Sequence, residues 1–211
     1  MNVQKVMWAL GELSLAYQRE DVGGSFGYPE DYRASNPNGV VPSLQDGELV
    51  MWDSNACVRY LARTYGRGSL WPEDTLALAH ADQWMDWQAT AAGPALLRVF
   101  FNLIRRPPEQ ADQGAIKAGV ESCARFYALL NEHLSRQAFV AGDQLSMGDI
   151  PIGTMTYRYL ALDIERPGIP HVEAWYQGLT QRSAYQHHVM IPFGRNPEQW
   201  QLAEERNAGL Q

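Results

Sequence analysis

Asn36-Pro37-Asn38-Gly39-Val40-Val41-Pro42, followed one short hairpin later by Trp52-Asp53-Ser54-Asn55-Ala56, decides the fold. A Val-Pro step at the mouth of a strand is a candidate cis peptide, and that geometry lets Val41 offer its backbone N–H and C=O to an extended, peptide-like ligand. The Asp53-Ser54 pair opens the next helix. It supplies a carboxylate, a hydroxyl and unpaired N–H groups, the equipment for the charged head group of an amino acid. Between the two, Asp46-Gly47 has the composition of a tight turn, joining a strand at residues 43–45 to one at residues 48–51.

Outward from this block the elements follow from periodicity. Towards the N-terminus, Val3, Val6, Met7, Leu10 and Leu13 form one apolar stripe, which predicts an amphipathic helix over residues 2–14 with Asn2 as a candidate N-cap. Residues 16–22 read as a strand, and Gly23-Gly24-Ser25-Phe26-Gly27 breaks it into a loop. Ser54 then caps a helix to about residue 65. From Gly66 to Glu73 the chain turns rich in Gly, Ser and Pro around Leu70-Trp71-Pro72, which marks a linker held down by an apolar anchor. Beyond it every segment has helical period, at roughly residues 75–105, 110–136, 147–162, 170–181 and 183–188, with Pro107-Pro108 separating the first two. Ser146-Met147-Gly148-Asp149 has the form of a capping box and reads as a folding signal. The tail after Pro197 is polar and either packs loosely or covers the site.

With these residues in place, the chain resembles the cytosolic glutathione transferases of the bacterial theta-like or phi-like kind, over nearly its full length. Asn2-Val3-Gln4-Lys5-Val6-Met7-Trp8 resembles their opening helix, Asn36 to Pro42 their cis-proline loop, Asp53-Ser54 their acidic-Ser pair, and Gly142 to Ile150 their helical-domain capping motif. The resemblance implies an α+β fold. A thioredoxin-like α/β domain over residues 1–68 would bind glutathione, and an all-α bundle over residues 75–211 would follow. Asn38, Val41, Pro42, Asp53 and Ser54 would hold glutathione, with Asn38 supplying part of the glycyl-carboxylate contact where Val40 replaces a basic residue.

In the family a first strand and a thiol-activating serine precede the opening helix. Aligning Lys5-Val6 with the family's basic-Val pair places that serine one residue before Met1. Two expectations follow: a start site upstream of Met1, or a shortened relative whose sheet and chemistry are both altered. Taken as it stands, the chain leaves Asn2 as the nearest side-chain donor to the sulfur, beside the partial positive charge of the helix N-terminus. The resemblance also implies a homodimer in which Asp82 reaches the partner's glutathione; as a bare residue, Asp82 reads equally as a solvated helix charge. Trp84, Trp87, Phe100 and Tyr157 would line an apolar pocket for the electrophile, though aromatic residues at helical spacing also read as core. Arg98, Arg105 and Arg106 would either hold an anionic substrate or compensate a helix dipole.

Seventeen basic against 24 acidic residues give a net charge of −7, which argues against nucleic acid or anionic membrane as partner. Cys57 and Cys123 sit in apolar helical patterns and read as buried thiols in a reducing, cytoplasmic setting. The opening residues lack the apolar run of a signal peptide. His187-His188 has no ligand partner at metal spacing, so no metal is expected. Without Cys-x-x-Cys, thioredoxin-type redox chemistry is not expected either. Two functional classes remain: a detoxifying transferase that conjugates glutathione to a hydrophobic electrophile, and a catalytically impaired relative that binds or scaffolds.

Overall fold

The computed structural model describes residues 1–208. Helix α1, Asn2–Glu12, opens the chain and presents Val6, Trp8, Ala9 and Leu10 to the interior. Met1 occupies the cap position and no side chain caps the helix, so Asn2 is its first residue and not its N-cap. Residues 16–22 do not form a strand. They have no ladder partner among the described residues, and a strand, unlike a helix, cannot satisfy its backbone without a neighbour.

A short helix α2, Tyr32–Ser35, leads into the Asn36–Pro42 loop. Strands β1, Ser43–Asp46, and β2, Leu49–Trp52, then form an antiparallel hairpin in the register Ser43↔Trp52 to Asp46↔Leu49. The two-residue loop is therefore Gly47-Glu48, one position later than the Asp46-Gly47 turn expected, and Gly47 carries the positive φ of 60° that the turn demands. Helix α3, Ser54–Tyr65, follows. Its cap is Asp53 and not Ser54: the Asp53 carboxylate accepts from the N–H groups of Asn55 (2.9 Å) and Ala56 (3.1 Å).

The remaining elements are helical. Helix α4, Thr75–Trp87, runs through a wide π-type turn at Gln88–Ala92 into α5, Gly93–Phe100, and a second such turn at Phe101–Arg105. Helices α6 (Gln113–Leu134), α7 (Asp149–Ala161), α8 (Pro170–Thr180), α9 (Ser183–His188) and α10 (Pro197–Ala208) complete the bundle. Among the described residues the sheet has two strands, so the fold is a small sheet-and-helix unit followed by an all-helical one.

The two units share one interior. Trp8 of α1 is fully buried, and its ring comes so close to α7 that a Cβ on Gly153 would stand 2.8 Å from it. Only glycine fits there. Tyr185 meets the same indole edge-on at 4.7 Å and donates to the Gly153 carbonyl at 2.8 Å. Glu12, at the end of α1, takes a two-pronged ion pair from Arg182 (2.8 and 2.5 Å). The segment after α3 is pinned as well, with Leu70 buried and its carbonyl accepting from the Met147 N–H at 2.7 Å.

Capping at the start of α7 is more extensive than Ser146 and Asp149 alone suggested. Asp149 is fully buried and accepts from Ser146 N–H (2.9 Å) and hydroxyl (3.1 Å), from Val140 N–H (3.1 Å) and from Trp175 Nε1 (3.2 Å). Burial pushes its carboxyl up to about 6 in spite of these donors.

Candidate active site: a backbone shelf beside a cationic cleft

The site has two walls. The first is built by the Asn36–Pro42 loop, which one buried side chain organises. Asn36 accepts from the Asn38 N–H at 3.1 Å and donates to the Val40 carbonyl at 2.5 Å and to Ser43 Oγ at 3.2 Å. Tyr32 Oη donates to the same Val40 carbonyl at 3.0 Å and shares a hydrogen bond of 2.9 Å with Ser43 Oγ. With Val40 so held and the Val41–Pro42 peptide cis, the N–H and C=O of Val41 carry no hydrogen bond among the described residues. Sequence reasoning quoted Asn36 without a role and passed over Tyr32; the Asn36-Pro37 step is a turn-initiating signal, whereas nothing local marks Tyr32.

Asp53 stands in the left-handed region at φ 71°, a strained conformation for a non-glycine residue. One of its carboxylate oxygens is taken by the α3 cap, and the residue is exposed. Ser54 is buried, and its N–H, on the first residue of α3, has no partner in the helix.

The second wall is a cleft of about 480 Å³ that opens at the start of α1. Asn2 and Val41 lie on it, so the structure brings these two expected residues together. Asn38, Pro42, Asp53 and Ser54 are not on this wall. The far side consists of Leu97, Arg105, Arg158, Phe193, Trp200 and Glu204, with α10 lying across it. The described part of the polar tail therefore covers the cleft.

Of the aromatic residues expected at an electrophile pocket, none is on the cleft wall. Phe100 and Tyr157 stand directly behind it, with Phe100 edge-on to Phe193 (5.1 Å) and Trp200 (5.4 Å), and Tyr157 edge-on to Phe193 at 6.0 Å. Trp84 and Trp87 belong elsewhere, to a cluster with His133 and Phe126. Asp82 is held within the chain by Arg59 Nε at 2.6 Å, while Asp86 takes another nitrogen of the same guanidinium at 2.5 Å. Of the three arginines singled out in sequence, only Arg105 reaches the cleft; Arg106 donates to Asn102 Oδ1 at 3.1 Å.

Lys5 ties the two units together beneath the site. Its buried ammonium donates to Asn55 Oδ1 (3.0 Å) and Gln88 Oε1 (2.9 Å), and burial lowers its pKa to about 8. The cysteines are far from nucleophilic: burial raises Cys57 to about 12 and Cys123 to about 11. His187 and His188, in the last turn of α9, bring their rings edge-on to 4.6 Å. Among the described residues no group of three His, Cys, Asp or Glu side chains could hold a metal ion, and no helix is long and apolar enough to cross a membrane.

Two family models match this chain, the glutathione S-transferase N-terminal domain over residues 2–64 and the glutathione S-transferase C-terminal domain over residues 94–183. The chain belongs to the glutathione S-transferase family. Among relatives, it is 40% identical to the glutathione S-transferase GstB of Escherichia coli (strain K12) across 195 residues, covering 90% of this chain and 94% of that one. Among solved structures it is similar to the theta class glutathione S-transferase of Xanthomonas axonopodis pv. citri with glutathione bound, at TM-score 0.88 and 40% identity over 92% of this chain and 94% of the other. A second similar structure is maize glutathione S-transferase I in complex with an atrazine glutathione conjugate, at TM-score 0.80 and 26% identity over 92% and 94%. Within this transferase fold, the Val41 shelf and the α1 N-terminus share one cleft, and the arginine-aromatic wall faces them.

Proposed function

We propose that this protein is a glutathione transferase that joins the glutathione sulfur to an electrophile held in the cleft. The observation that carries the reading is the unpaired Val41 N–H and C=O on the same cleft as the first turn of α1. Glutathione lies extended along Val41, as an added strand would, with its amino-acid head group at Asp53 and the Ser54 N–H and Asn38 beside its other end. Its sulfur then points at the N-terminus of α1. A free thiol of this kind has a pKa of about 8.5, and the partial positive charge of a helix N-terminus favours the thiolate. Asn2 offers the nearest side-chain N–H to that sulfur. The thiolate attacks the electrophilic carbon, the C–S bond forms, and the leaving group departs with its bonding pair. Relatives named as glutathione S-transferases, and a similar structure with glutathione bound, support the same assignment.

The working unit in this reading is a soluble, cytoplasmic homodimer engaged in detoxification, with Asp82 exchanging Arg59 for the partner's glutathione. A binding protein without turnover is the second reading. It is favoured by one observation: Met1, Asn2, Val3 and Gln4, the cleft residues at the start of α1, carry neither hydroxyl nor thiol. Calorimetric titration of glutathione into the chain and into Asp53→Ala, with an aryl-halide conjugation assay on the same samples, separates the two. Binding that is weakened in the variant, together with turnover, is expected. Binding without turnover selects the second reading, and no binding in the parent chain defeats both.

A further inference from the structure

Arg158 is the least expected residue of the cleft. It sits in α7 among apolar neighbours, is only 8% exposed, and stays cationic at neutral pH, since burial and the nearby charge of Arg105 lower it only to about 10. A buried guanidinium ordinarily meets a carboxylate. Here one nitrogen donates to Gln4 Oε1 at 3.2 Å, and Nε has no hydrogen-bond partner among the described residues. The rest of its surroundings are aromatic, with Phe100 at 4.4 Å, Trp200 at 5.4 Å and Phe193 at 5.8 Å from the guanidinium carbon.

A second cation converges on the same ring. Arg105, which is exposed, places its guanidinium 4.5 Å from the Trp200 centroid. Trp200 Nε1 is itself buried without a partner among the described residues. Two carboxylates lie on the cleft wall: Asp21, which Arg19 holds at 2.5 Å, and Glu204. Glu204 makes no ion pair with Arg158 or Arg105, and its oxygens turn towards Gly24, 3.0 Å from where a Cβ there would stand. Two like charges, two unpaired donors and an aromatic floor thus face one cavity. A structural arginine that merely linked α7 to Gln4 would need neither the second cation nor the unpaired Nε.

We infer that Arg158 and Arg105 form a carboxylate subsite in the electrophile half of the cleft, so that the preferred second substrate is an anionic electrophile, an aromatic ring bearing both a carboxylate and a leaving group. The ring packs on Phe193 and Trp200, and the carboxylate takes charge-assisted hydrogen bonds from the two guanidiniums. This rests on the transferase reading for its chemistry and on the cleft alone for its binding. With 4-chloro-3-nitrobenzoate, the glutathione thiolate adds at the chlorine-bearing carbon, the C–S bond forms, chloride leaves with the bonding pair, and the thiol proton passes to solvent.

Binding is read first with 3-nitrobenzoate and 3-nitrobenzamide, which have no leaving group, by calorimetry on the full chain with and without S-methylglutathione. The acid binds at least tenfold more tightly than the amide, and Arg158→Gln lowers that preference by about ten- to a hundredfold, the range for a hydrogen bond to a charged group. Arg105→Gln lowers it less and leaves the amide unchanged. Turnover of 4-chloro-3-nitrobenzoate against 4-chloro-3-nitrobenzamide follows the same ratio in kcat/KM. Equal affinity for acid and amide in the parent chain overturns the proposal. So does a loss of glutathione affinity in the variants with the benzoate preference intact, which would make the arginines a grip on glutathione's own carboxylates. Acid preference without chloride release upholds the subsite and defeats the transferase reading; amide turnover without acid preference does the reverse. If Arg158→Gln does not fold, Arg105→Gln decides alone.

Discussion

Helix α7 and the β1–β2 hairpin are of similar length and opposite character. Ten residues of α7 are buried, including Asp149, Thr154, Thr156 and Arg158, whereas Leu49, Val50 and Trp52 of the hairpin are each more than 40% exposed. The helix closes its own backbone hydrogen bonds and can be sunk into the bundle from all sides. The hairpin satisfies only one edge of each strand and contributes little to the core. Stability should therefore be concentrated around α7, while the Val41 shelf hangs from a lightly packed element fixed by Asn36 and Tyr32.

The sharpest test of that division is Asp149→Ala. It removes the acceptor of four hydrogen bonds and strands the N–H groups of Val140 and Ser146 and the indole N–H of Trp175 in the interior. A loss of about 3 kcal/mol or more in urea unfolding is expected, since each buried donor left unsatisfied costs about 1–3 kcal/mol. Asp149→Asn should lose less, and it should also change the pH profile. The folded carboxyl sits near 6, above its ordinary 3.8, so the folded state holds the proton more tightly. Its stabilising contribution is full below about pH 4 and is lost as pH rises through 6. Measured from pH 4 to 7, the parent chain should fall relative to Asp149→Asn across that window.

A smaller effect is expected where the two regions join. Lys5→Met leaves Asn55 Oδ1 and Gln88 Oε1 without their donor and should cost about 1–3 kcal/mol. The lysine's folded pKa, near 8, lies below its ordinary 10.5, so above pH 8 the unfolded chain binds more protons. The parent chain's stability should then rise between about pH 8 and 10 relative to Lys5→Met. Parallel curves in chemical denaturation would mean that Lys5 is solvated and that the seam between the two units is open.

The same contrast explains what could be read from sequence. The helical segments announced themselves because their periodicity is local: residues 2–14 and 54–65 came within two residues of α1 and α3. The strand expected at residues 16–22 failed because alternation shows only that a segment suits a sheet, and pairing is a property of two segments. The Val-Pro step next to a strand singled out Val41, whereas the cap of α3 was expected at Ser54, one residue late, because Asp and Ser are both capping types and composition alone does not separate them. The cleft wall was not readable. Phe193 and Trp200 lie in a tail with no strong pattern, and Arg158 is conspicuous only once α7 is known to be buried. Trp84 and Trp87 looked like pocket residues because helical spacing brings them to one face, but it does not say whether that face meets the cleft or the core.

The smallest expected effect belongs to the hairpin itself. Leu49→Lys places a charge on a strand residue that is 41% exposed and outside the core. Surface changes of this kind stay within about 0.5 kcal/mol, and an edge lysine is one of the ordinary ways a protein discourages strand-to-strand association. Unfolding midpoint and glutathione affinity should both match the parent chain. A cost of 2 kcal/mol or more would break the comparison, because a solvent-facing leucine has no such energy to lose. It would mean that the outer face of β2 is covered in solution. Repeating the unfolding at several protein concentrations would then identify the cover: a midpoint that rises with concentration assigns it to a second copy of the chain, since association stabilises by mass action and packing within one chain does not.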